Sequence, residues 1–259
     1  MSGTNKTAIV TGASSGIGRY TAIALLNEGW NVVITARRSE ALQETQKMSA
    51  NPDNCFCITG GITDEDFVVE LFNQTISRFA THDARIIGRL DLLFNNAGIS
   101  SAQVPIEELS LDEFQKVLNT NLVGPFICTR EALRQFKVQS PPGGRIINNG
   151  SLSAHVPRPF SYAYTVSKHG LSGLTKCTAL DGRAFNIACT QIDIGNAATE
   201  MGGRHGVGAL QPDGKMIQEG VLDVQHVAST IVHIASLPPD VTVLGINIMP
   251  TNIPYTGRG

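Results

Sequence analysis

Residues Lys6–Gly29, KTAIVTGASSGIGRYTAIALLNEG, decide the architecture. Lys6–Val10 is a short apolar run of strand character, Thr11–Gly18 is a glycine-rich turn, and RYTAIALLNEG carries its apolar residues at helical spacing. Strand, glycine turn and helix start form an arrangement that binds a pyrophosphate, because bare backbone amides and the positive end of a helix face the anion. Gly12, Ser14, Ser15, Gly16, Ile17 and Gly18 are therefore candidate nucleotide-binding residues. Their spacing is G-x-x-x-G-x-G rather than the commoner G-x-G-x-x-G. Taken with the strand and helix around it, the turn predicts an open α/β sheet with its ligand beyond the carboxyl ends of the strands.

The chemistry is concentrated in Ser151–Lys168, SLSAHVPRPFSYAYTVSK. Small or apolar residues at Ala163, Val166, Gly170, Leu171 and Leu174 predict a helix, which places Tyr164 and Lys168, at i and i+4, on one face. Tyr162 then faces elsewhere. Upstream, RIINNGS reads as a strand and a turn that deliver Ser151 to a strand end. A phenol beside an ammonium suits proton transfer to a carbonyl oxygen. A free tyrosine, with a pKa of about 10, is too weak an acid near neutrality, and a fixed cation favours the phenolate. A serine hydroxyl can give a second hydrogen bond to the same oxygen as it gains negative charge. Tyr-x-x-x-Lys also occurs on ordinary helices, so the pair acquires meaning from the rest of the chain.

Thr11–Gly18, Asn95-Asn96-Ala97-Gly98, Asn121, Ser151, Tyr164 and Lys168 together resemble the motif set of the short-chain dehydrogenase/reductase family, from about residue 6 to the end of the chain. The resemblance implies a single-domain Rossmann fold, a doubly wound parallel sheet of about seven strands flanked by helices, that binds NAD(H) or NADP(H). It implies Tyr164 as proton donor and acceptor, Lys168 on the nicotinamide ribose, Ser151 on the substrate oxygen, and Asn121 holding a water in a proton relay. Asn119, or a packing role for both asparagines, is the alternative for that relay. By position it adds Ile62, Asn95, Ala97, Gly98, Ile194, Gly195 and Thr199 to the cofactor contacts, together with Tyr164 and Lys168. A homo-oligomer, tetramer or dimer, is also implied.

The second strand, NVVIT (Asn31–Thr35), ends in Ala36-Arg37-Arg38, with no carboxylate before Glu40. An acidic residue there would hold a ribose 2′-hydroxyl, whereas a guanidinium grips a 2′-phosphate with a planar fork. NADP(H) is therefore expected over NAD(H), with Arg37 preferred to Arg38 and with Ser14 or Ser15 assisting. The chain also departs from the family pattern. Gly61 stands where an aspartate commonly follows the third strand (CFCIT), Ile194 replaces the proline before Gly195, and the tail reads MPTNIPYTGRG. Asp64 is expected to open the next helix, and one helix is expected from Leu111-Asp112 to about Val138, distorted near Gly124-Pro125.

Residues 195–222 are expected to form a substrate-covering lid, glycine-rich and weakly periodic over 200–220. His205 in it is either a substrate contact or a solvated loop histidine. The remaining pocket walls are expected from Ser100–Val104 and Leu152–Phe160, with His155, Val156, Pro157, Pro159 and Phe160 making a moderately apolar cavity and Arg158 an anion contact.

A formal net charge of −2 offers no attraction to nucleic acid or to an anionic membrane. The five cysteines are scattered and lack a zinc-ligand rhythm, so no metal is expected, and Cys55 and Cys57 read as core residues on one face of a strand. Without a leader pattern or an apolar run of spanning length, a cytoplasmic enzyme is the expectation. The function expected is an NADP(H)-dependent oxidoreductase interconverting a small-molecule ketone or aldehyde with its alcohol. A non-catalytic nucleotide-binding sensor or scaffold on the same fold is the alternative, and motifs alone leave dehydration or epimerisation open.

Overall fold

Continuous apolar runs become the strands β1 (Thr7–Thr11), β2 (Asn31–Ala36), β3 (Cys55–Thr59), β4 (Leu92–Asn95), β5 (Gly144–Asn149) and β6 (Ile187–Ile194), and a partly exposed run becomes β9 (Gly245–Ile248). They form one parallel sheet in the order β3-β2-β1-β4-β5-β6-β9, in a computed structural model that describes residues 6–79, 88–199 and 208–255. The helices are α1 (Gly16–Asn27), α2 (Ser39–Lys47), α3 (Glu65–Arg78), α4 (Leu111–Leu118), α5 (Gly124–Val138), α6 (Tyr162–Gly182) and α7 (Val224–Ser236). A two-stranded hairpin, β7 (Ala209–Leu210) with β8 (Met216–Ile217), lies between β6 and α7 in sequence.

The strands β1 to β6 alternate their residues between two cores, as the period of two requires, whereas β9 packs on one. Ala8, Val10, Val32, Ile34, Leu92, Phe94 and Ile147 face Leu25 and Leu26 of α1 and Val227 and Ile231 of α7. Ile9, Val33, Leu93 and Ile146 face Val68, Leu71 and Phe72 of α3 and Ile127, Ala132 and Phe136 of α5. Burying side chains of this size contributes about 1.5–3 kcal/mol apiece, which fixes helices on both sheet faces. Cys55 and Cys57 do share one face of β3, packed into the α1/α7 core.

Strand order reverses between β1 and β4, so a crevice opens at their carboxyl ends. The parallel register pairs Val10 with Phe94 and Asn95 with Asn148, bringing the glycine turn, the Asn95–Gly98 segment and the end of β5 to one rim. Asp64 caps α3, its Oδ1 accepting the Phe67 N–H at 3.1 Å.

The single helix expected over 111–138 is divided. A π-turn, Asn119–Val123, separates α4 from α5, and the Gly124 N–H reaches back five residues to the Asn119 carbonyl. Pro125 has no N–H to give to the carbonyl four residues before it, which is that of Asn121. The distortion therefore leaves the Asn121 carbonyl without its α-helical donor. Among the described residues, no helix is long and apolar enough to cross a membrane, and no His, Cys, Asp or Glu cluster could hold a metal ion.

Candidate active site

The end of β5 and the start of α6 meet across the crevice. Ser151 follows β5 in extended conformation and its Oγ accepts the Ser153 N–H at 3.1 Å, which leaves the hydroxyl proton available for donation. Its backbone N–H donates to Asp193 Oδ1 at 2.9 Å. That carboxylate sits so close to the turn that a Cβ on Gly150 would fall 2.0 Å from Asp193 Oδ1. Asp193 Oδ1 also accepts Gln191 Nε2, and its Oδ2 lies 2.7 Å from His155 Nε2.

Tyr164 and Lys168 project from one face of α6 into the cavity that Ser151 lines, whereas Tyr162 is exposed. The Lys168 ammonium is 5.4 Å from the Tyr164 ring centre and donates to the Asn149 carbonyl at 2.7 Å. Lys168 is buried, so the charge is held in place by packing as well as by that bond. Asn121 is buried beside them. Its Oδ1 accepts the Ile99 N–H at 2.8 Å, and its Nδ2 donates to the Ile99 carbonyl at 2.9 Å and to Ser167 Oγ at 3.3 Å. The Asn121 side-chain amide is thus committed to Ile99 and Ser167.

A second cavity, about 560 Å³, continues from the first past Ile17, Asn96, Gly98 and Thr199, which line both. Gly12, Ser14, Ser15, Gly16 and Ile17 form its floor, Arg37, Arg38 and Ile62 one flank, and Ala97 and Gly98 another. The backbone here has no room for side chains. Gly12 and Gly16 have φ of 66° and 53°, and a Cβ on Gly12 would stand 2.7 Å from Ala97 Cα. Gly18 does not line the cavity; it lies beneath the turn, where a Cβ would meet Asn96 Nδ2 at 2.4 Å. A cradle of glycines at the start of α1, flanked by two guanidinium groups, fits a dinucleotide with its phosphates at the turn.

Several expectations need correction. Asn95 does not reach the cavity: it turns into the sheet, where its Nδ2 donates to Asn148 Oδ1 and Thr129 Oγ1, and Asn96 stands at the rim instead. A shift of one residue at a strand end exchanges faces, which is why the two are easily confused. Both Arg37 and Arg38 line the larger cavity as expected, and Arg38 Nη2 donates at 3.2 Å to both Ser14 Oγ and Ser15 Oγ.

The smaller cavity, about 290 Å³, is walled by Ser100, Ser101, Gln103, Leu152, Ser153 and Arg158 rather than by His155, Val156, Pro157, Pro159 and Phe160. It is consequently more polar than predicted. Arg158 is already paired with Glu219. Ile194 and Gly195 border this cavity, and Thr199 packs against Gly16, where a Cβ would lie 3.2 Å from the threonine side chain. Of the expected lid, residues 200–207 with His205 lie outside the described residues, and Gly208 and Ala209 line the cavity. Asn149 and Asp193 have no place among the residues the sequence singles out, and Asn96 appears there within the Asn95–Gly98 motif but not as a cofactor contact. The one signal for Asp193 was a lone acid inside an apolar strand, since a buried carboxylate requires partners.

The sequence family described as short chain dehydrogenase matches residues 6–206. The short chain dehydrogenase/reductase astE of Aspergillus oryzae is 37% identical over 199 residues, covering 76% of this chain and 72% of that protein. The uncharacterized oxidoreductase YohF of Escherichia coli is 34% identical over 197 residues, covering 76% of this chain and 74% of that protein. Among solved structures, ElxO with NADP bound superposes with a TM-score of 0.81 at 27% identity, covering 95% of this chain and 98% of that one. With a Ser-Tyr-Lys set at the rim of a seven-stranded Rossmann sheet and a family match over most of its length, this chain belongs to the short-chain dehydrogenase/reductase family of oxidoreductases.

Proposed function

We propose that the chain is an NADP(H)-dependent oxidoreductase that interconverts a small ketone or aldehyde with its alcohol. The observation that carries this reading is the convergence of Ser151, Tyr164 and Lys168 on one cavity, with the lysine fixed on the Asn149 carbonyl. When bound, the nicotinamide cofactor supplies the hydride to the carbonyl carbon in reduction and takes it up in oxidation. Tyr164 gives its proton to the substrate oxygen in reduction. The Lys168 ammonium stabilises the negative charge that grows on the phenol as the proton leaves. Ser151, with its hydroxyl proton uncommitted, holds the same oxygen. Proton resupply would pass by the Asn121 carbonyl, which Pro125 has stripped of its helical donor, rather than by the Asn121 amide.

The preference for NADP(H) is supported by Arg37 and Arg38 on the cavity flank and by the absence of a carboxylate among the described residues lining it. In this reading Arg38, bridging Ser14 and Ser15, is the principal reader of the 2′-phosphate and Arg37 the second. Exposed Leu111, Val123 and Phe126 on and between α4 and α5 support self-association into a dimer or tetramer. Two measurements test the reading. Tyr164→Phe should abolish turnover while leaving cofactor affinity nearly unchanged, and retained turnover would sink the mechanism. Calorimetric titration should show NADPH binding more tightly than NADH; the reverse order would reassign the arginines.

A further inference from the structure

We propose that the substrate cavity selects neutral polar carbonyl compounds against carboxylates, and that Glu219 sets this choice by cancelling the charge of Arg158. The proposal rests on the reading that this cavity receives the carbonyl substrate. Among the described residues, Arg158 and Lys168 are the charged residues that line it. Lys168 is tied to Asn149 beside the reacting groups. Arg158, unpaired, would be a ready receptor for a carboxylate, since its planar fork accepts two oxygens at once.

Glu219 takes that fork from behind the wall. Arg158 Nη1 donates to Glu219 Oε1 at 3.1 Å and Nη2 to Oε2 at 2.5 Å, while Nη2 also reaches Asn196 Oδ1 at 3.1 Å. The carboxylate is buried, with 1% of its side chain exposed. It accepts further bonds from Gln211 Nε2 at 2.9 Å and Asn196 Nδ2 at 2.8 Å. Burial pushes its pKa up, but the bonds from Arg158, Gln211 and Asn196 outweigh it and hold the group at about 2, ionised at any working pH.

Among the described residues, what remains for a ligand apart from Lys168 is neutral hydrogen-bonding surface. Ser101 and Ser153, largely buried residues, line the wall, and Gln103 stands beside them. A ketone carrying a hydroxyl, an amide or a second carbonyl can satisfy these groups. A carboxylate would lose its hydration and find the guanidinium already occupied.

The test is calorimetry on the full chain saturated with NADP⁺, using the matched probes acetoacetamide and acetoacetate, and it needs no turnover. Wild type should bind acetoacetamide at least about tenfold more tightly, and Glu219→Gln should shift the ratio by about tenfold or more towards acetoacetate. The double variant R158Q/E219Q should restore exclusion of the carboxylate, which a merely structural role for Glu219 would not do. A wild-type preference for acetoacetate overturns the proposal, as does an E219Q ratio within about twofold of wild type, or no binding of either probe at about 10 mM. Should E219Q fail to fold, the wild-type ratio decides alone. Selective binding of acetoacetamide without its reduction by NADPH upholds this inference and removes the catalytic one.

Discussion

The Lys168 ammonium donates to the Asn149 carbonyl at 2.7 Å, joining the first half of helix α6 to the end of strand β5. From there the connection continues: Asn149 Nδ2 donates to Asn96 Oδ1 at 2.9 Å, and Asn96 Nδ2 donates to the carbonyls of Thr11 and Gly12. The same chain of bonds that positions the lysine therefore also holds the first residues of the glycine turn. The glycine turn and Lys168 are thus linked by one chain of hydrogen bonds at the rim of the sheet.

Asn96→Ala breaks this connection at its middle. Two turn carbonyls lose a partly buried donor and Asn149 loses an acceptor, a cost of about 1 kcal/mol or more. Denaturant unfolding should show that loss, and kinetics should show a fall in both cofactor affinity and kcat. A drop in stability with intact cofactor affinity would show that the turn is held by other means.

Asp193→Ala tests whether the carboxylate behind Ser151 positions it. The Ser151 N–H, Gln191 and His155 all lose their partner. We expect kcat to fall by about tenfold or more with NADPH affinity unchanged, because misplacing a catalytic group by a fraction of an ångström lowers rate without touching the cofactor cradle. Unchanged kcat would make Asp193 a structural residue only.

Arg38→Ala should weaken NADPH by about tenfold or more while sparing NADH, and by more than Arg37→Ala does, because Arg38 is the arginine braced on Ser14 and Ser15. Parallel titrations of the two variants decide the order.

The Glu219 contact makes stability depend on pH in a defined window. The folded pKa lies at about 2, below the ordinary value of 4.5. A depressed carboxylate contributes its stabilisation above the unfolded pKa and loses it as the pH falls through the folded one. The advantage of wild type over Glu219→Gln should thus be constant above about pH 5 and vanish towards pH 2, as measured by thermal melting across that range.

Phe136→Ala should cost about 3–5 kcal/mol, because the ring is fully buried between α5 and the sheet. Gly144 faces the same ring, and a Cβ there would come within 2.4 Å of it. Gly144→Ala should therefore also destabilise, by overpacking, and chemical denaturation of both variants checks the pair.

The sequence by itself determined the parts that short-range rules govern. The strand–glycine turn–helix at Lys6–Gly29, the Asp64 cap, the disturbance at Gly124-Pro125 and the shared helix face of Tyr164 and Lys168 each depend on residues only a few positions apart. A doubly wound parallel sheet of about seven strands followed from the family resemblance, and the order of the strands came from the structure. The tertiary structure alone decided which of Asn95 and Asn96 faces the cavity, that Asp193 grips Ser151 from 42 residues away, and that Glu219 claims Arg158 from 61 residues away. Those outcomes turn on register and on the packing of distant segments, where a displacement of one residue or a few ångströms changes a partner, and no local pattern encodes such distances.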